Sequence, residues 1–289
     1  MNHNDGLPMI DDQDIIRTLD RACTRHAVPN GNGDVIWRVW GDGPPLVLLH
    51  GGTGSWMHWI RNIEDLSRDF MLLVPDLPGS GESASPVMPT SADAVGRTVL
   101  DGVDAIIGAE RSFMAAGFSM GGLVSGYLVK RAGARAEHLV LVGSIGTTAP
   151  REPMAPMKSW RRLATDDARR DAHRHNLSVL MVYDPDKIDD LAVDIQFLNA
   201  ERSRVRGKHI NPSGDLSIAL KDFRGRLAGI WGEHDVTAVP HLEARRRKLE
   251  EFRPGATFDV MPGIGHWAQY EAPEAFNHLL RQRLLNGSI

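Results

Sequence analysis

The feature that most constrains this chain is Gly117-Phe118-Ser119-Met120-Gly121-Gly122, set between a short apolar run and a stretch with helical spacing. Glycines two residues before and two after a serine suit a sharp strand-to-helix turn. The small residues leave room for the bend, and the bend lifts the hydroxyl above a sheet edge. The helix that follows would present its positive dipole end and the Met120 amide to a developing oxyanion. Without its neighbours the segment would read equally well as a glycine-rich turn that merely starts a helix. The strand before it and the helix after it favour the nucleophile.

The rest of the chain supplies a sheet for that turn. Short apolar runs at 46–49, 71–74, 112–116, 139–142, 227–231 and 257–261 are predicted as strands buried on both faces. Helical spacing predicts helices over 56–67, 92–107, 121–132, 242–252 and 273–285. Strands alternating with helices define an α/β fold, a mainly parallel central sheet flanked by helices. Ligands of such sheets sit beyond the C-terminal strand ends. Upstream, a helix is predicted over 10–27, a turn at Asn30-Gly31-Asn32-Gly33, and a strand through Val35, Trp37 and Val39. The alternation breaks between 147 and 225, where apolar residues recur only at helical spacing, as at Leu177, Leu180 and Met181. This segment is expected to be a helical cap over the sheet edge. The core domain is then 1–146 with 226–289, and the cap, 147–225, is inserted before the strand that precedes the acid loop.

Composition narrows the partners. The chain has 289 residues, 42% of them hydrophobic, enough for a substantial core. A net charge of -4 offers no basis for binding nucleic acid. One cysteine, Cys23, precludes an intrachain disulfide and argues against a thiolate zinc site. No apolar run approaches the roughly 20 residues of a membrane span, and the first residues are too polar for a secretory signal. The expectation is a soluble, cytoplasmic protein with a small-molecule substrate, no cofactor or metal, and neither membrane nor nucleic-acid partner. The N-terminal helix around Ile15 to Leu19 could pack on the core or against a second subunit, which leaves a homodimer open. Seven tryptophans against three tyrosines hint at an apolar pocket.

Three further loops complete the candidate chemistry. His50-Gly51-Gly52-Thr53-Gly54-Ser55-Trp56 follows a strand and can bring a bare amide over the serine. Gly52 is the favoured donor, with Gly51 or Thr53 as neighbours, and Met120 supplies the second amide. A phosphate loop is disfavoured, because no Gly-Lys-Ser/Thr follows. His50 itself reads as structural. Gly263-Ile264-Gly265-His266-Trp267 places a histidine, with an ordinary pKa of about 6.5, where it can act as general base. Gly232-Glu233-His234-Asp235 supplies the orienting acid. Asp235 is preferred, with Glu233 and His234 as fallbacks. The loop 143–147 after the strand preceding the cap has no carboxylate to compete. The candidate catalytic residues therefore come in the order Ser119, Asp235, His266.

Together these motifs resemble the α/β-hydrolase fold family over nearly the whole chain. Asp76-Leu77-Pro78-Gly79-Ser80-Gly81-Glu82-Ser83 looks like a structural turn of that family. Within it, the chain looks most similar to the meta-cleavage-product hydrolases, which split a carbon–carbon bond in ring-fission products of aromatic catabolism. The similarity rests on Ser119-Met120-Gly121-Gly122, on Gly265-His266-Trp267-Ala268-Gln269 with Glu271 and Glu274-Ala275-Phe276-Asn277, and on Arg61-Asn62-Ile63. Tyr183-Asp184, Ile188 and Asn199 fit the cap register. Two departures stand out. Phe118 replaces the usual asparagine before the nucleophile. Gln196 falls where the resemblance implies a cap arginine that clamps a substrate carboxylate, and glutamine lacks the charged, bidentate grip. Arg202, Arg204 and Arg206 could substitute, or form a solvated helix face. The expected activity is therefore hydrolysis of a small or medium carboxylic ester through an acyl-enzyme. A C–C hydrolase of a 2-hydroxy-6-oxo-dienoate is the alternative, and a non-hydrolytic ligand binder on the same fold a third. A haloalkane dehalogenase would need an aspartate at 119. Trp56, Phe118, Trp160, Met181, Gln196 and Trp267 are the candidate pocket residues, with Met154, Met157, Leu177 and Phe197 behind them; many could equally be packing residues.

Overall fold

The computed structural model describes residues 12–88, 90–205, 210–211 and 215–285. After helix α1 (Asp12–Ala22), strands β1 (Thr24–Pro29), β2 (Asp34–Trp40) and β3 (Pro45–Leu49) follow in succession. A short 3₁₀ turn (Trp56–Trp59) runs into α2 (Ile60–Leu66), then β4 (Met71–Pro75), the two-residue β5 (Thr90–Ser91), α3 (Ala92–Ile107), β6 (Phe113–Phe118), α4 (Met120–Ala132) and β7 (Ala136–Val142). Next come α5 (Asp166–Leu180), α6 (Asp190–Arg202), the two-residue β8 (Ile210–Asn211) and α7 (Leu216–Leu220). The chain ends with β9 (Arg226–Gly232), α8 (Leu242–Phe252), β10 (Thr257–Met261), α9 (Ala268–Glu271) and α10 (Pro273–Leu285).

The main sheet has eight strands in the order β1-β2-β4-β3-β6-β7-β9-β10. Only β2 runs against its neighbours; every other pairing in this sheet is parallel. The strand period of two divides the apolar residues between two cores. Leu46, Leu48, Leu72 and Val74 face one layer, with Ile60 and Ile63 of α2 and Phe276 and Leu280 of α10. Val47, Leu49 and Leu73 face the other, with Val95 and Val99 of α3 and Leu123 and Leu128 of α4. Two-sided burial is why the central strands read as unbroken apolar runs.

Three expectations change. The N-terminal helix stops at Ala22 instead of reaching 27, because residues 24–29 pair antiparallel with the outer edge of β2. Only His26 and Val28 of that strand are even half-buried, so it carries almost no alternating apolar signal. β10 is likewise an edge strand and only Met261 in it is buried, not both faces throughout. In β2, Arg38 alternates with the apolar Trp37 and Val39, which places it at an expected polar position of the strand, yet it is 1% exposed. It is neutralised by Asp76 at 3.2 Å, Asp20 at 2.5 Å and Glu82 at 2.6 Å. The Asp76 carboxylate also accepts the Trp56 and Glu82 amides at 3.0 Å each, so the 76–83 turn is a structural knot at the sheet edge.

Between β7 and β9 the described residues hold three α-helices, a 3₁₀ turn (Pro185–Lys187) and only the two-residue β8. This segment is not uniform. Leu177, Leu191 and Ile195 of α5 and α6 join the layer that contains α2 and α10. Leu216, Ala219 and Leu220 of α7 join the opposite layer with α4. Among the described residues, no helix is long and apolar enough to cross a membrane.

Candidate active site

Ser119 is the junction between β6 and α4. Its backbone has φ 53° and ψ -114°, a region that non-glycine residues occupy at a cost of roughly 1–3 kcal/mol. The surroundings hold it there. Its N–H donates to the Val142 carbonyl at 2.8 Å, and its own carbonyl accepts from Gly122 at 3.1 Å and Ile145 at 3.2 Å. A side chain at Gly121 would place its Cβ 2.5 Å from the carbonyl oxygens of Leu49 and His50. Glycine there lets the first turn of α4 press against the end of β3.

His266 follows β10 and is 3% exposed; Asp235 follows β9 and is fully buried. His266 Nδ1 lies 2.9 Å from Asp235 Oδ2. Asp235 Oδ1 accepts from the Thr237 amide at 2.8 Å and the Thr237 hydroxyl at 2.7 Å. Burial alone would raise this carboxyl, but His266 and the two Thr237 donors outweigh it and hold the group below its ordinary range. Gly143, at φ 50°, lies against the pair: a Cβ there would sit 3.0 Å from His266 Nδ1 and 3.1 Å from Asp235 Oδ2. The fallback residues are engaged elsewhere. Glu233 accepts the Gly263 amide at 2.9 Å, and His234 stacks on Tyr183 with ring centroids 3.7 Å apart.

Ser119 and His266 line one cavity of about 300 Å³ together with Gly51, Gly52, Met120, Phe118, Ile145, Leu180, Met181 and Val205. Neither the Gly52 nor the Met120 amide is taken up by a hydrogen bond within the described residues. Gly51 is a correction: its N–H is spent on His58 Nδ1 at 3.2 Å and is unavailable to an oxyanion. His50 is structural, as read from the sequence. Its Nδ1 meets the Gly51 carbonyl at 2.8 Å, and its Nε2 accepts the Leu77 amide at 2.9 Å.

Of the candidate pocket residues, only Phe118 and Met181 line this cavity. Trp56 packs on Trp40, with ring centroids 5.6 Å apart, and under the Arg38 guanidinium. Trp267 is fully buried, stacked on Tyr270 at 4.1 Å, and donates to the His58 carbonyl. Trp160 packs on His173 and borders a different depression between α5 and the end of α6. Gln196 is half-buried on α6 and does not reach the cavity; nor do Met154, Met157, Leu177 or Phe197. Of the arginines considered as substitutes, neither Arg202 nor Arg204 lines the cavity. Arg204 caps the carbonyls of Gly81 and Ser83, Arg202 is exposed away from the cavity, and Arg206 lies outside the described residues.

The roles of several neighbours escaped the sequence reading. His58 is 1% exposed and packs edge-on against Phe118 and Trp267. Burial, reinforced by the nearby His50 and His266 rings, holds it well below the usual histidine range, so it stays neutral. Thr237 supports Asp235 from two residues away, a spacing visible in the sequence. Glu271, 3% exposed, accepts the amides of Gly265 at 2.8 Å, Tyr183 at 3.1 Å and Asp184 at 2.9 Å. It thus ties the histidine loop to the segment between α5 and α6. Arg151 is the one charged side chain in the described lining of the cavity, apart from titratable His266.

Comparison with known proteins agrees with this architecture. The model of the alpha/beta hydrolase family matches residues 46–279. A 2-hydroxy-6-oxononadienedioate/2-hydroxy-6-oxononatrienedioate hydrolase of Paraburkholderia phymatum is 30% identical over 250 residues, covering 81% of this chain and 85% of that protein. A 2-hydroxy-6-oxo-6-phenylhexa-2,4-dienoate hydrolase of Burkholderia cepacia is 27% identical over 261 residues, covering 86% of this chain and 90% of that protein. The crystal structure of the esterase RhEst1 from Rhodococcus superposes with a TM-score of 0.74 at 22% identity, covering 90% of this chain and 98% of that one. At that identity the likeness speaks for the fold.

Proposed function

The chain belongs to the alpha/beta hydrolase family and is a hydrolase of that fold, and from that premise we propose that it cleaves a small-molecule carboxylic ester through an acyl-enzyme on Ser119. The observation that carries this reading is the buried His266–Asp235 pair, 2.9 Å apart, opening onto the cavity that Ser119 also lines. With Nδ1 committed to Asp235, His266 has Nε2 free to take the Ser119 proton. Ser119 Oγ attacks the ester carbonyl, and the oxyanion is held by the free amides of Gly52 and Met120. His266 returns the proton to the leaving alcohol, then activates the water that releases the acid. Asp235 stabilises the imidazolium in both halves. The part of the helical segment 147–225 that brings Arg151, Leu180, Met181, Ser203 and Val205 into the cavity wall serves as the cap.

A second reading, hydrolysis of a C–C bond in a 2-hydroxy-6-oxo-dienoate, is favoured by the names of the relatives at 27–30% identity. Phe118 before the nucleophile and Gln196 outside the cavity weigh against it. The full Ser119, His266 and Asp235 set weighs against a purely ligand-binding role. The test is turnover of p-nitrophenyl esters beside that of a 2-hydroxy-6-oxo-dienoate, for the wild type and for Ser119→Ala. The expected result is ester turnover that Ser119→Ala abolishes while its circular dichroism is unchanged. Fast loss of the dienoate chromophore with negligible ester turnover would establish the second reading instead. Undiminished turnover in Ser119→Ala would overturn both.

A further inference from the structure

Beside the catalytic cavity lies a second one of about 370 Å³, and the two share Ile145, Arg151 and Thr237 in their linings. The second cavity is built from the loop after β7, including Ser144, Thr147 and Thr148, and from the start of α8, which contributes Arg245. Two arginines therefore border it. Arg245 is 4% exposed, and its donors reach only backbone carbonyls: Thr237 at 2.5 Å, Ala238 at 3.0 Å and His241 at 3.1 Å. Arg151 is exposed at the boundary between the cavities, and its side-chain contact is the Met154 sulfur at 3.1 Å.

Among the described residues, neither arginine has a carboxylate within ion-pair distance, whereas Arg38, Arg61, Arg131, Arg135, Arg170, Arg281 and Arg283 each do. Asp235 raises Arg245 but already serves His266, and burial together with Arg151 pushes Arg245 the other way. Asp215 also borders the cavity, with its carboxylate accepting the Ser217 amide at 2.7 Å. Two cations at one cavity repel each other, and a partly desolvated guanidinium attracts anions more strongly than one in bulk water. A buried cation with spare donors favours a planar, bidentate acceptor.

We propose that this second cavity is a carboxylate subsite, which directs the enzyme to esters that carry a free carboxylate on the acyl half. The proposal rests on the hydrolytic reading of Ser119: the scissile carbonyl sits at the serine while the distal carboxylate reaches past Ile145 to Arg151 and Arg245. Water adds across the ester C–O bond, releasing an alcohol and a dicarboxylate.

The experiment compares monoethyl adipate and monoethyl suberate with ethyl hexanoate and ethyl octanoate, in the wild type and in Arg151→Gln, at low and high salt. The expected result is a kcat/KM preference for the half-esters that falls about tenfold in Arg151→Gln, through KM, and shrinks with salt. Hydrolysis of all four esters with no half-ester preference, or a preference that Arg151→Gln leaves intact, overturns the subsite. Calorimetry of adipate binding to Ser119→Ala separates this from failure of the hydrolytic reading. Adipate binding that is lost on adding Arg151→Gln supports the subsite even without turnover. Absence of adipate binding, or binding indifferent to Arg151, overturns it.

Discussion

Asp235 is closed off from water in this fold. Its two oxygens take three hydrogen bonds, from Thr237 twice and from His266 once, and no part of the residue is exposed. An Asp235→Asn variant would keep the shape but put an amide opposite His266 Nδ1, favouring the wrong tautomer. Its kcat should fall on the order of 10⁴-fold with near-wild-type circular dichroism; steady-state kinetics measures this, and a loss under tenfold would show that the acid does not orient the histidine. At this scale Ser119, Asp235 and His266 were legible, because each motif encodes a local backbone shape at a strand end. The tryptophans were not. Composition says that an aromatic is present but not which way it points, and Trp56 and Trp267 turn into the layer beneath the site, toward Arg38 and Tyr270. The sequence favours Gly52 over Gly51, but the reason Gly51 drops out was hidden, since it depends on His58 arriving from the next turn of chain.

Elements meet at Glu271, on the short helix after the histidine loop. Its carboxylate holds Gly265 from that loop and Tyr183 and Asp184 from between α5 and α6, and the Trp267 amide donates to the Met181 carbonyl at 2.7 Å. The wall carrying Met181 and the loop carrying His266 are thereby coupled. Glu271→Gln replaces one acceptor oxygen with a donor that faces amide donors, at a cost of roughly 1–3 kcal/mol. It should lower the melting temperature, speed amide exchange in both 181–184 and 263–266, and reduce kcat. Faster exchange in only one of those segments would contradict the coupling. The sequence carries Glu271 in plain view, but two of its partners are backbone amides about 90 residues upstream, which no pattern of side chains announces. The same limit hid β1, an edge strand whose pairing with β2, rather than its own weak periodicity, decides its conformation.

Three buried histidines, His50, His58 and His173, are held toward the neutral form. His173 is fully buried between the rings of Trp160 and Phe197, at 4.9 and 5.6 Å, and neither ring nitrogen has a partner among the described residues. Burial, and secondarily Arg161, lowers it from 6.5 to about 4. The unfolded chain therefore binds the extra proton first. The stability this group contributes is complete above about pH 6.5 and is lost as pH falls toward 4, at up to about 1.4 kcal/mol per pH unit. His50 and His58 are lowered in the same direction. Thermal melts between pH 7 and pH 4.5 should show a shallower acid decline for His173→Leu than for the wild type. Parallel declines would mean that His173 is not buried neutral. At this largest scale the sequence was most readable: two-sided strands and one-sided helices leave few ways to stack, and the parallel sheet with its helical segment between β7 and β9 follows from their alternation.

On this reading the His266–Asp235 pair makes Ser119 a nucleophile, and labelling with an alkyl fluorophosphonate followed by peptide mass spectrometry reads that out. The expected result is one adduct, on the peptide containing Ser119, absent in Ser119→Ala and formed at least a hundredfold more slowly in His266→Ala. No adduct, an adduct that persists in Ser119→Ala, or labelling at an undiminished rate in His266→Ala would contradict it.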